Sequence, residues 1–213
     1  MISNNVVPLR FLIILLLTFI TLSQVAFTQV DTPESPKVAE GKYDKIYPSS
    51  ENIFRVKKDG LYGYVDAAGA ELVAPYYDKA SDFHEGYAAV GKDGNFGFIN
   101  PTGRVIIPLT YQRTWSFSEG VAIVKREGRY GYIDQQGQEV IPLIYGHAQS
   151  ASEGMVLVHK NGRFGYLDKF GEQMTDFVYE EAWPFFKQKA WVKQDGRWFY
   201  INKRGGCIED CPE

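Results

Sequence analysis

The histidines and carboxylates are the residues of this chain whose types could support catalysis or metal binding. His84, His147 and His159 fall at unrelated spacings, whereas a zinc site needs three or four converging ligands. The sequence contains no nucleophile elbow, phosphate-binding loop or dinucleotide fingerprint. We therefore expect no catalytic residue, no metal and no cofactor, and we predict that the protein is not an enzyme.

The two cysteines, Cys207 and Cys211, suggest a cross-link. Exported proteins meet an oxidising compartment, which favours a disulfide over free thiols. A straight strand would separate the two Cα atoms by about 13 Å, whereas a disulfide needs roughly 4.4–6.8 Å. The predicted disulfide therefore requires the chain to turn between the two residues. A redox-active pair is the alternative, although the spacing is not Cys-x-x-Cys.

Composition limits the fold and the partner. The chain has 213 residues, with 23 Lys and Arg against 26 Asp and Glu, so it has no basic excess for nucleic acid. Aromatic residues make up 15% of the sequence and there are 21 glycines, a combination that favours β-strands joined by tight turns.

The N-terminal segment resembles an export signal. Arg10 precedes an apolar run over residues 11–22, which is followed by small and polar residues. As a helix this run would reach roughly 18 Å, short of the ~30 Å hydrocarbon core of a membrane. We predict a signal peptide over residues 1–28, a flexible linker over 29–42 and no membrane span after cleavage. An uncleaved anchor is the alternative.

A 34-residue repeat accounts for nearly all the rest of the sequence. An aromatic–Gly–aromatic triplet is centred on residues 63, 97, 131 and 165, and Phe199 replaces the glycine in the last copy. Other columns keep the same step through all five copies, among them Val56, Val90, Val124, Val158 and Val192. The repeat domain is predicted at 43–212, with copies at 43–76, 77–110, 111–144, 145–178 and 179–212.

Each copy is predicted to be a three-stranded antiparallel meander, because glycine or proline interrupts the chain too often for two helices. The turns begin with Asp or Asn, as at Asp66, Asp134 and Asp168, and a turn role is also predicted for Glu85, Glu119 and Glu153, which precede a repeated glycine. We predict an all-β fold in which the five units form a curved, solenoid-like array. A closed five-bladed, propeller-like ring is the alternative. The strand glycine is predicted to make room for the neighbouring copy, and Phe199 to mark a terminal copy.

These columns resemble the bacterial WG-repeat (KWG) family. The match is clear at residues 128–134 (GRYGYID) and in the tail at 83–90 (FHEGYAAV). Tyr or Phe replaces the family's Trp before Gly in four copies, and in the fifth Trp198 precedes Phe199. The resemblance implies a recognition or scaffold module rather than an enzyme.

Four residues are candidate ligand contacts: Arg113, Trp115, Trp183 and Trp191. Trp115 and Trp183 occupy a column that does not demand an aromatic ring, since other copies place Ser or Gln there. Exposed tryptophans on loops are frequent contact residues, although each could instead fill a gap between copies. We predict a protein-binding or scaffold module at the cell envelope, periplasmic or secreted. Binding of an envelope polysaccharide through Trp and Tyr rings is the alternative.

Overall fold

The computed structural model describes residues 41–48 and 51–212. The predicted signal peptide at 1–28, and all of the predicted linker except Gly41 and Lys42, lie outside the described residues. Lys42 pairs with Glu71 at 3.0 Å, so the end of the predicted linker contacts the first repeat.

The described residues form nineteen strands and no helix, arranged as five antiparallel sheets. The first sheet contains β1 (Lys45–Ile46), β2 (Ile53–Lys58), β3 (Leu61–Asp66) and β4 (Glu71–Tyr77). The second contains β5 (Lys79–Ala80), β6 (Ala88–Lys92), β7 (Asn95–Ile99) and β8 (Val105–Tyr111). The third contains β9 (Arg113–Thr114), β10 (Val121–Arg126), β11 (Arg129–Asp134) and β12 (Glu139–Tyr145). The fourth contains β13 (His147–Ala148), β14 (Met155–Lys160) and β15 (Arg163–Asp168). The fifth contains β16 (Glu181–Ala182), β17 (Ala190–Gln194), β18 (Arg197–Ile201) and β19 (Cys207–Glu209).

This arrangement confirms the all-β prediction and its five antiparallel units, and the ring alternative is wrong because the array is not closed. The strand count per unit was underestimated, since a two-residue strand precedes each predicted meander. In the fourth unit the last strand is replaced by isolated bridges, including Phe164 with Tyr179.

Two kinds of turn shape every unit. The hairpin between the two central strands has positive φ at both turn residues, as at Asp93 (50°) and Gly94 (79°), which suits the right-handed twist of a two-residue hairpin. The next turn begins with an Asp or Asn side chain that accepts backbone N–H groups two and four residues later, as Asp134 does from Gln136 and Gln138. The predicted turn role of Asp66, Asp134 and Asp168 is therefore confirmed.

The two sides of each sheet have different partners. We call the side that carries the repeated valine the valine face, and the side that carries the two triplet aromatics the aromatic face. Val124 pairs with Gly131 and Ile123 with Tyr132, so the two sets point to opposite sides. Phe98, on the aromatic face of the second sheet, packs with Ala122 and Val124 on the valine face of the third. The core is thus a series of layers between consecutive sheets.

The strand glycine has a different neighbour from the predicted one. A Cβ atom on Gly131 would lie 2.6 Å from Ile141 O and 2.8 Å from Leu143 N, both in β12 of the same sheet. The pairing register between β11 and β12 shifts at this point, as in a β-bulge. The prediction that the neighbouring copy packs over the glycine is therefore wrong. Phe199 fits in the fifth sheet because β19 is shorter and pairs with Tyr200 and Ile201 only.

Candidate functional site

The repeated glutamates link consecutive sheets. Glu119 accepts hydrogen bonds from the backbone N–H groups of Glu153 and Gly154 in the next unit, each at 2.6 Å. The same link recurs where Glu85 accepts from Gly120 at 2.9 Å. These residues do lie at turns, as predicted, but their carboxylates bind the turn of the following unit. Their regular recurrence assigns them to the scaffold rather than to acid–base chemistry.

The buried tyrosines make a second link between units. Their hydroxyl groups donate to a backbone carbonyl of the next unit: Tyr64 to Ser81 at 2.7 Å, Tyr132 to Gln149 at 2.6 Å and Tyr166 to Trp183 at 2.7 Å. Burial raises the pKa of all three phenols well above its ordinary value. These hydroxyl groups therefore act as neutral structural donors.

The histidines do not converge on a metal site. His147 pairs with His159 across β13 and β14, and both contact the ring of Phe164, at 6.4 and 4.8 Å between centroids. Burial, together with the nearby charge of His159, lowers the pKa of His147. Residues 41–48 and 51–212 contain no group of three or more potential metal ligands.

Arg113 and Trp115 lie together on the third unit. The Arg113 guanidinium is 6.0 Å from the Trp115 ring centroid, and the Trp115 ring is 5.7 Å from that of Tyr130. Trp115 is partly buried and packs against the core layer between the third and fourth sheets, as the gap-filling alternative expects. Trp183 lies on the fifth unit and is 58% exposed. The four candidate residues therefore do not form one cluster.

Trp191 belongs to a surface that we call the terminal aromatic face, formed by Trp191, Trp198 and Tyr200. The rings of Trp191 and Trp198 are 5.5 Å apart with planes only 10° from parallel, and Trp191 lies 4.3 Å from Tyr200. Lys189 lies 4.1 Å over the Tyr200 ring. We did not predict contacts at Trp198, Tyr200 or Lys189. The rings of Trp198 and Tyr200 follow the repeat pattern and were interpreted only as part of it.

This face differs from its equivalents in the other units. Tyr166 is the residue of the fourth unit that corresponds to Tyr200, and it is fully buried against the fifth sheet. In the described part of the chain no further sheet follows the fifth, and Tyr200 remains partly exposed. The aromatic face, which packs against the next sheet in the other units, is therefore partly accessible in the fifth unit.

A groove in the second unit is a second candidate surface. We define the Ser81 groove by its lining residues, which span three consecutive units and enclose about 280 Å³: Tyr62, Lys79, Ala80, Ser81, Ala89, Phe96, Arg113 and Thr114. Arg113 therefore lies at a concave surface, and Trp115 does not line the Ser81 groove.

Cys207 and Cys211 form a disulfide with their Cα atoms 5.7 Å apart. The required turn follows β19, where Asp210 has a φ of 57°. Phe199 and Pro212 line the same small depression, so the linked segment lies beside the residue that replaces the strand glycine.

The model of the WG containing repeat family matches five consecutive stretches of the chain, at residues 37–62, 62–96, 96–130, 130–164 and 164–198. The chain belongs to the WG-repeat family. In structural terms, each WG repeat from residue 62 onward begins in the third strand of one unit and ends in the corresponding strand of the next. One repeat therefore spans the contact between two units. No curated protein matches the sequence at a significant level.

Several solved structures resemble the WG-repeat chain weakly. A eukaryotic initiation factor has 12% identity over 75% of this chain and 52% of its own, with a TM-score of 0.49. Hsv2 from Kluyveromyces lactis has 11% identity over 74% and 59%, with a TM-score of 0.46. BamB from Moraxella catarrhalis has 13% identity over 74% and 70%, with a TM-score of 0.37. The chain thus spans about half to two thirds of these proteins, and likeness at this level carries no functional argument.

The residues that the structure describes include no helix of the length and apolarity needed to cross a membrane.

Proposed function

We propose that this WG-repeat protein is an exported, non-catalytic module that binds another protein at the cell envelope. The observation that carries the proposal is the terminal aromatic face. In the first four units the equivalent face binds the next sheet, so its shape and chemistry already suit contact with a folded protein surface. Tryptophan and tyrosine supply much of the binding energy in protein interfaces, and lysines such as Lys189 and Lys193 provide a polar rim.

The use of polar residues also supports a non-catalytic role. The turn aspartates, the linking glutamates and the buried tyrosine hydroxyls are engaged in repeated structural hydrogen bonds. A catalytic site needs a singular set of groups that can change protonation or bind a reacting atom.

Two features support export to the envelope. The N-terminal sequence has the charged start, the short apolar run and the small-residue exit of a signal peptide. The disulfide between Cys207 and Cys211 is suited to an oxidising compartment. Mass spectrometry of the protein from its native cells should find a new N-terminus between about residues 25 and 31. An intact Met1 in the cytosolic fraction would contradict export.

Polysaccharide binding is the second candidate, and the near-parallel rings of Trp191 and Trp198 are the observation that favours it. Flat aromatic surfaces can stack on the apolar side of a sugar ring. The two candidates predict different sensitivities of the bound material to hydrolytic enzymes.

The test captures material from an envelope extract on immobilised protein. The parent is compared with a Trp191→Ala/Trp198→Ala variant, and Trp115→Ala is the matched control for loss of a ring elsewhere. A specific protein retained by the parent and by W115A, but lost with the double variant and after protease treatment of the extract, supports the proposal. Binding that survives protease but is lost after glycan hydrolysis supports the polysaccharide alternative. Equal capture by all three proteins contradicts a role for the terminal aromatic face.

A further inference from the structure

We propose that the Ser81 groove binds an aromatic side chain of a partner protein, together with a carboxylate that neighbours this side chain in the partner. The inference rests on the proposed function, because it takes a protein as the partner. It adds a second surface and the chemistry of the segment that the surface recognises.

Three other copies fill the equivalent position with a ring of their own. The column of Ser81 holds Tyr47, Trp115 and Trp183, with Gln149 in the fourth copy. Tyr47 and Trp115 lie beside the first triplet aromatic of their units, at 6.2 Å from Tyr62 and 5.7 Å from Tyr130. In the second unit that aromatic is Phe96, and it lines the groove. The missing ring therefore leaves an aromatic wall accessible to a ring from another molecule.

Two further columns also carry small residues in this copy. Ala89 replaces the Arg, Ile, Leu and Trp that the other copies place in its column. Gly91 occupies a column of Lys and His, and the Phe96 ring lies so close to it that a Cβ atom would be 2.7 Å from Phe96 Cε1. In the third unit the same column provides Lys125, whose Nζ lies 4.8 Å over the Tyr130 ring. Phe96 thus lacks both the neighbouring ring and the cation that cover Tyr62 and Tyr130.

The groove has room for a single large side chain. Its volume is about 280 Å³, at the lower limit of the range for small-molecule sites. The flat ring of a tryptophan or tyrosine side chain can pack against Phe96 and Tyr62.

The polar groups of the groove select the rest of the ligand. Lys79 and Arg113 line the groove, and neither has an ion pair in the described part of the chain. Two cations that line the groove favour a carboxylate beside the ring.

The test uses three blocked pentapeptides and purified full-length protein labelled with ¹⁵N. The probes carry tryptophan between two glutamates, leucine between two glutamates, and tryptophan between two lysines; chitotetraose serves as the sugar probe. Amide chemical shifts are followed during titration. We expect saturable shifts at residues 79–81, 96 and 113–114 with the acidic tryptophan peptide, and binding at least about tenfold weaker for the other probes.

Variants at Ser81 separate the effect of filling the groove on peptide binding from the effect of losing the hydrogen bonds of the Ser81 side chain. Ser81 Oγ accepts from Ala89 N–H at 2.9 Å and donates to Asp82 O at 2.8 Å, so any substitution removes these bonds. Ser81→Ala leaves the groove open and should retain binding. Ser81→Trp fills it and should weaken binding about tenfold or more, a loss of about 1.4 kcal/mol. Gln149→Trp places a ring at the same position of the fourth copy and should bind like the parent.

Equal binding by S81W and the parent overturns the proposal, as does equal binding of the leucine peptide. Absence of shifts with every peptide also overturns it, and groove shifts with chitotetraose alone assign the groove to a sugar. The result is independent of the capture test, because that test perturbs Trp191 and Trp198 on the fifth unit. If the groove binds no peptide but the capture of an envelope protein is retained, the proposed function stands. If the capture test fails, the proposed function itself is wrong.

Discussion

Replacing Gly131 with alanine tests the packing of the triplet glycine, because the backbone conformation of this residue is one that alanine can adopt. Its φ lies outside the left-handed region, so conformational strain does not contribute. The added Cβ would lie 2.6 Å from Ile141 O, 2.8 Å from Leu143 N and 2.9 Å from Leu143 Cα. These are backbone atoms of the bulged strand β12 and cannot rotate away. The substitution must therefore push β12 away from β11.

The expected loss of stability follows from these contacts. Overpacking a well-packed core costs about 1–3 kcal/mol, and each backbone hydrogen bond weakened between the two strands adds about 1 kcal/mol. We expect a loss of about 3 kcal/mol. With a urea m-value of about 1–3 kcal/mol per molar, the unfolding midpoint should fall by roughly 1–3 M at an unchanged m-value.

The matched control is Gly165→Ala, the same change in the same column of the fourth unit. Its Cβ would contact ring atoms of Phe177, the nearest at 2.9 Å, instead of backbone. Phe177 lies in the segment without a fourth strand and is only partly buried, so its ring can move. The loss should stay below about 1.5 kcal/mol, the lower half of the overpacking range. Equal losses in both variants, or a larger loss for Gly165→Ala, would refute the reasoning from the β-bulge.

Four further outcomes are expected. Glu119→Ala leaves two backbone N–H groups of the next unit without their charged acceptor, so urea unfolding should report a loss of about 1–3 kcal/mol; an unchanged midpoint would show that water replaces the carboxylate. Tyr132→Phe should keep the fold, because the second unit has phenylalanine at this position, and should cost about 1 kcal/mol. Burial raises the pKa of the Tyr132 phenol, so the unfolded chain loses this proton first and stability should fall as the pH rises above about 10, less steeply in Y132F. Alkylation without reductant should label neither Cys207 nor Cys211 in the purified protein, and quantitative labelling of both would remove the disulfide.

The repeat period and the strand pattern could be predicted because they leave a direct trace in the residue types. Alternation in the strands, Asp or Asn at the turns and the invariant valines together specify antiparallel units. The two-residue strands could not be predicted, because two residues are too few to show alternation. The neighbour of Gly131 could not be predicted either. A strand glycine indicates that another group comes close, but the residue type does not say which part of the backbone it is.

The candidate contacts were predicted only in part. Trp191 was predicted as a tryptophan in a variable column and Arg113 because it lies two residues before Trp115; both line or form accessible surfaces. Trp198 and Tyr200 were overlooked because they follow the repeat; they are partly exposed because no further sheet covers the fifth within the described residues. The Ser81 groove also had a signal in the sequence, because Ser81 is a small residue in a column where three copies have an aromatic ring. The groove was not predicted from that signal, because only the added rings were interpreted as contacts.

Both proposed binding surfaces arise from the same property of a stacked array. Each aromatic face is completed by the unit that follows and by the residues of its own short strand, so most of its apolar surface is buried within the chain. In the second unit Ser81, Ala89 and Gly91 leave that face incompletely covered. In the fifth unit the face has no following sheet within the described residues, and Trp191 enlarges it. Because exposed apolar surface is costly unless a partner covers it, these two departures from the repeat are where binding is expected, while the buried faces of the other units hold the array together.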